Sequence, residues 1–204
     1  MVLLNIESAE VQQIISLQIT PETLSRSLQL QSVGEGGTRS QALRLTGPAV
    51  ETFKLDAEID ATDQLEFPDQ NRDATTLGIF PQLAALEALV YPTSDDLQAN
   101  NSLAEAGILE IAPMETPLAL FVWSKNRIVP VRVTDFSVTE EFFDPALNPI
   151  RAKVSLGMRV LSIDDLGFAH KGGSLFMSYL QTKEGLARKA ARVNLATLGI
   201  TGLP

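Results

Sequence analysis

Four carboxylates, Asp56, Glu58, Asp60 and Asp63, lie close together in the chain. On a β-strand, residues two apart stand about 7 Å from one another on the same face. A row of this kind offers two chemistries: oxygen ligands for a calcium ion, or an acid and a base for hydrolysis. Catalysis also needs a nucleophile or a neighbour that drives the two pKa values apart, and none is identifiable around these positions. The favoured reading is therefore a solvated acidic sheet face, on a surface or lining a lumen. A metal-binding module or hydrolase built on the same four residues is the alternative from a different class.

Other catalytic residue types are scarce. The chain has no cysteine, which removes thiolate metal sites, disulfide frameworks and cysteine nucleophiles together. Its single histidine, His170, would have to serve any Ser/His/Asp arrangement, yet no G-x-S-x-G elbow exists and His170 sits beside Lys171-Gly172-Gly173 in an expected loop. The Gly34-Glu35-Gly36-Gly37 stretch lacks the G-K-[ST] ending of a phosphate-binding loop and reads as a loop. Phe121 and Trp123 share one face of an expected strand and are assigned to core or interface. The chain is read as a structural protein, not an enzyme, with no cofactor and no metal.

The elements that position these residues are mostly strands. Phe53, Leu55, Ala57 and Ile59 alternate with Lys54, Asp56, Glu58 and Asp60, which predicts a strand buried on one face. Ile150, Ala152, Val154, Leu156, Met158 and Val160 alternate likewise with Arg151, Lys153, Ser155 and Arg159, over a strand read as 150–163. In the strand before it, read as 128–142, Val129, Val131 and Val133 are apolar on odd positions, whereas Phe136 and Val138 are apolar on even ones. That slip predicts a β-bulge near Thr134-Asp135. Phe143 to Pro149, with two prolines, joins the pair into a long hairpin. Antiparallel register then brings Glu140 and Glu141 near Arg151 and Lys153.

Further strands are expected at 14–19, 108–111 and 118–123. One helix is expected over about 76–91, with Pro81 in its first turns. Residues 33–39 and 93–106 read as loops. Beyond Gly172-Gly173, an amphipathic helix is expected from Leu175 to Ala190.

The 204 residues suit one domain of useful core size. Net charge is −9, which repels phosphate backbones and argues against nucleic acid as partner. The charge is uneven. Residues 1–166 hold 24 acids and 11 bases, whereas residues 167–204 hold one acid and five bases. Two segments follow: a body over 1–166, and a basic helical extension over 167–204. Lys183, Arg188, Lys189 and Arg192 in the extension are expected to meet an acidic surface, on the body or on a neighbour. No signal-peptide pattern and no apolar run of spanning length are present, so assembly in the cytoplasm without membrane insertion is expected.

Three stretches add a resemblance. They are Leu43-Arg44-Leu45-Thr46-Gly47-Pro48 with Glu51 to Glu66, Ile128 to Glu141, and Phe143 to Leu156. Together they resemble the N-terminal tube domain of the tube-initiator proteins of phage-tail-like contractile injection systems, over about residues 10–165. The resemblance implies a mainly β fold with flanking α: a tail-tube-like sandwich or half-barrel with one packed helix. It implies six copies in a ring, seated in the baseplate between the hub and spike and the inner-tube proteins, with baseplate wedge proteins as further neighbours, in a particle either released or membrane-anchored. A main inner-tube subunit is the alternative within the same class. Many relatives carry a LysM-like module after the tube domain. None is read in 167–204, so roles borrowed from that module are not carried over.

Overall fold

A computed structural model of the chain describes residues 1–4, 10–32, 44–107 and 117–190. Its frame is a seven-stranded sheet, antiparallel throughout and not closed on itself. The strands are β1 (Val2–Leu4), β2 (Val11–Ile14), β3 (Leu24–Gln29), β4 (Val50–Asp60), β5 (Leu118–Ser124), β6 (Arg127–Phe143) and β7 (Pro149–Val160), in the order β2-β1-β5-β6-β7-β4-β3. The helices are α1 (Thr62–Leu65), α2 (Arg72–Leu77), α3 (Phe80–Glu87), α4 (Ser94–Glu105), α5 (Ile163–Leu166) and α6 (Lys171–Lys189). The mainly β class with flanking helices is thus observed. What covers the sheet among the described residues is helices and a crossing segment, and the strands themselves form one sheet.

Alternation makes one face apolar. Phe53, Leu55, Ala57 and Ile59 of β4 stand opposite Met158, Leu156, Val154 and Ala152 of β7. Across β7, Val133, Phe136 and Val138 of β6 continue the same rows. The expected bulge is present: register shifts between Val133 and Asp135, which restores the apolar residues of β6 to the inner face. Gly157 faces the bulge, where a Cβ would lie only 2.9 Å from that of Asp135.

The apolar face is covered from two ends. Ile79, Leu83 and Leu86 from the α2–α3 region join the core at one end, and Phe176 and Tyr179 of α6 join it at the other. Between them Ile15 and Leu17 lie in the same core, as the chain crosses from β2 towards β3. Phe121 packs on Phe53 with ring centroids 5.4 Å apart, so it belongs to the core, with Trp123 half-buried beside it.

Several local expectations are corrected. The helix expected over 76–91 is two helices, because Gly78 between them has φ +59°, ψ −134°, and its site leaves 2.2 Å from an added Cβ to the Pro149 carbonyl oxygen. Residues 94–105 form α4 instead of a loop, started by Thr93, whose hydroxyl accepts from the Asp96 N–H at 3.1 Å. The strand expected at 14–19 ends at Ile14, and the alternation beyond it belongs to the extended crossing segment. β7 stops at Val160, since Ser162 and Asp165 form a capping box that begins α5. His170 is the N-cap of α6, its Nδ1 accepting from the Gly172 N–H at 3.0 Å. The helix therefore includes both glycines, and because Phe176 and Tyr179 are core residues, its first part is integral to the body. The expected strand at 108–111 and loop at 33–39 lie outside the described residues.

Candidate functional site

The polar face of the sheet gathers most of the residues singled out by the sequence. Rows run across β4, β7 and β6: Asp60, Arg151 and Glu141; Glu58, Lys153 and Thr139; Asp56, Ser155 and Ser137; Lys54, Gly157 and Asp135; Thr52, Arg159 and Arg132. Arg151 on the central strand is thus flanked by acids on both neighbours and Lys153 by an acid on one, the arrangement that cross-strand pairs favour, whereas Arg159 stands between Thr52 and Arg132. Five acids and five bases stand in these rows, so the face is neutral in a chain of net charge −9.

The acids of the first row and its neighbour are engaged in detail. Arg151 pairs with Glu58, and lies 3.9 Å from Asp60 and 3.8 Å from Glu141. Lys153 donates to Glu141 at 2.9 Å, and the Ser155 hydroxyl donates to Asp56. Burial alone would raise the Asp60 pKa. The hydroxyl and N–H of Thr62, with Arg151 behind them, outweigh it and hold Asp60 below the usual carboxylate value. The Gln18 amide completes the same position from the sheet edge, donating to the Asp60 carbonyl at 2.6 Å and accepting from its N–H at 3.0 Å. Among the described residues, no group of three His, Cys, Asp or Glu side chains is placed to hold a metal ion.

Other members of the expected set lie elsewhere. Asp63 leaves the row, because the chain turns into α1 after Ala61. Glu140 stands opposite Ala152 on the other side of β6, so of the two adjacent acids only Glu141 reaches the bases of β7. Arg159 pairs with Asp165 of α5 at 2.9 Å. Lys183 meets an acidic group of its own body, donating to Glu51 at 2.7 Å. Arg188 lies 3.9 Å from Glu184, one turn back on the exposed surface of α6, and Lys189 is exposed at the helix end. Arg192 lies outside the described residues.

Glu51 was not foreseen as a site. It is 3% exposed and accepts from the Tyr179 hydroxyl at 2.9 Å as well as from Lys183, with Arg26 of β3 at 3.6 Å. A signal existed: Glu51 falls on the inward parity of β4, in series with Phe53 and Leu55, and an acid there demands buried partners.

Fold and face together define an open, two-faced antiparallel sheet, apolar and helix-covered on one side, wet and charge-paired on the other. No protein-family model matches the chain, and no curated protein matches it. No helix among the described residues is long and apolar enough to cross a membrane.

Proposed function

We propose that this chain is a structural subunit of a contractile injection system baseplate, six copies of which close into a ring that joins the hub and spike to the inner tube and templates the tube. The observation that carries the reading is where the three family-like stretches fall. The first lies far in sequence from the other two, which follow one another, and together they supply β4, β6 and β7, which are neighbours in the sheet and build its polar face.

Physical reasons agree with it. A sheet that lines a water-filled channel must be wetted on the lumen side and apolar behind. Here the wet side is neutralised by its own cross-strand pairs, so a passing cargo of either charge meets no strong field. Among the described residues, β2 and β3 each have one strand neighbour, and in a ring the sheets of adjacent copies complete their hydrogen bonding.

Electron microscopy of the purified protein tests the reading. Six-fold rings with a central channel are expected. A chain that stays monomeric at every concentration, or that is absent from the layer between hub and tube in isolated particles, would sink it.

A further inference from the structure

The two ends of the long strands carry opposite charge. At the end where β4 runs into α1, residues 62–91 hold five acids against one base. Asp63, Glu66, Asp69 and Asp73 are exposed there, with Phe67, Leu77 and Phe80 exposed among them. At the other end α6 lies across the sheet. Its first turn sits on Leu118 of β5, and Tyr179 and Lys183 reach Glu51 at the start of β4. Lys171, Arg188 and Lys189 are exposed on it against Glu184, and α5 beside it adds exposed Asp164 and Asp165, the latter paired with Arg159; Phe168 and Leu186 are exposed nearby.

We infer that these ends are complementary, and that the occupant of the outward face of α6 is the acidic α1–α2 end of a second copy of this chain. Within one copy the ends cannot meet. The length of β4 holds them about 35 Å apart, several times the screening length of about 8 Å at physiological salt. Nor is the charge of α6 consumed internally: Lys183 is matched by Glu51, while Lys171 and Lys189 remain outside that cluster. Exposed apolar side chains beside both charged sets supply the desolvated centre that charge alone does not.

The contact is heterologous, joining unlike surfaces, and so propagates. Its direction runs along the strands, across the line of the edge-to-edge ring contacts proposed above, and it does not depend on them. If both contacts form, rings of this chain stack on one another.

Two double variants test the contact: Lys171→Glu with Arg188→Glu on α6, and Glu66→Lys with Asp69→Lys on the acidic end. All four positions are exposed, and circular dichroism with melting checks that each variant folds. Sedimentation velocity of the full chain at about 50 mM and about 500 mM salt reads the association, which screening weakens at the higher value. The wild type is expected to associate at low salt and dissociate at high. Each variant alone is expected to bind itself roughly tenfold more weakly or worse, because the α6 variant gives its two ends like charge and the acidic-end variant cancels the charge that α6 would meet. An equimolar mixture of the two is expected to recover association. Identical sedimentation at both salts, or variants that associate as the wild type does, would overturn the inference. Electron microscopy of the same samples separates the two contacts. Single rings that persist in the variants retain the ring and assign the lost contact to stacking. Stacks without rings retain this inference and sink the ring.

Discussion

The Tyr179 hydroxyl donates to Oε1 of Glu51 at 2.9 Å, tying α6 to the start of β4 across 128 residues of chain. Lys183 takes the other carboxylate oxygen at 2.7 Å, so one buried acid fastens two positions of the same helix face. Tyr179→Phe removes one donor to a charged acceptor and is expected to cost about 1.5–3 kcal/mol. Lys183→Met leaves the buried carboxylate without its close cation and is expected to cost more. Denaturant melts of the two variants measure both. A Tyr179→Phe protein as stable as the wild type would show that the helix is held by apolar packing alone.

Gly78 fixes the break between α2 and α3. At φ +59°, ψ −134° any L side chain is strained, and a Cβ would also press on the Pro149 carbonyl oxygen, which accepts from the Ile79 N–H at 2.9 Å. Gly78→Ala is expected to destabilise by about 2 kcal/mol or more. The loss should be accompanied by faster amide exchange at Ile79, read by NMR.

How much of this was legible follows from where burial is one-sided. β4 and β7 were readable because each inward position is apolar and each outward one polar, and the bulge in β6 was readable as a slip of that phase. β3 was not, because Arg26 stands on its inward side: it stands opposite Phe53 and approaches Glu51 at 3.6 Å, so its alternation is broken by the very ion pair it serves. The crossing segment gave a false strand, since any extended chain that buries Ile15 and Leu17 alternates whether or not it joins a sheet. α4 buries no side chain, so it has no apolar stripe to read, although Thr93 followed by Asp95 and Asp96 is a helix-start signal that was there to be used. The polar face was visible as a list of charged residues. Their pairing was not, because it depends on β4 and β6 flanking β7, and strand order is a tertiary fact.

Acid should loosen the hairpin end of the sheet first. Asp144 accepts from the Asn148 side chain and N–H, which lower its pKa against the opposing effect of burial, and from the Ala146 N–H, which lowers it further. Asp60, at the same end, is also lowered. A carboxyl with a folded pKa below its unfolded value, ordinarily about 3.9, stabilises the fold at higher pH. That contribution is lost as pH falls below about 4 and through the folded pKa. Stability is thus expected to fall across that window, and Asp144→Asn should flatten the fall. Melts between about pH 6 and pH 2.5 read it, and identical pH profiles for the two proteins would contradict the assignment.

Arg151 is shared by Glu58, Asp60 and Glu141. Single exposed ion pairs contribute about 0–1 kcal/mol, but a cation held by three acids leaves all three repelling one another when it is removed. Arg151→Met is therefore expected to destabilise by about 1 kcal/mol, with a deficit that shrinks as salt rises. Arg151→Lys should recover part of the loss. A deficit that does not change with salt would place the effect in packing of the side-chain stem instead.

The outer edge of β3 offers the sharpest test of ring closure. The Gln18 amide bonds both backbone groups of Asp60, so even residues of β4 point their N–H and C=O towards the β3 edge, and Ser25 and Ser27 exchange hydrogen bonds with Lys54 and Thr52. Leu24, Arg26 and Leu28 then aim their backbone groups outward, away from β4. Leu28 is 49% exposed and opposite Glu51, so Leu28→Pro deletes an outward N–H while leaving the β3–β4 ladder its own bonds. The expected outcome is a protein that melts within about 1 kcal/mol of the wild type and forms no ring by electron microscopy. Ser27→Pro, which deletes an inward N–H, should instead lower stability first. If Leu28→Pro rings form as readily as wild-type rings, copies do not join through β3, and the closing contact lies elsewhere on the chain.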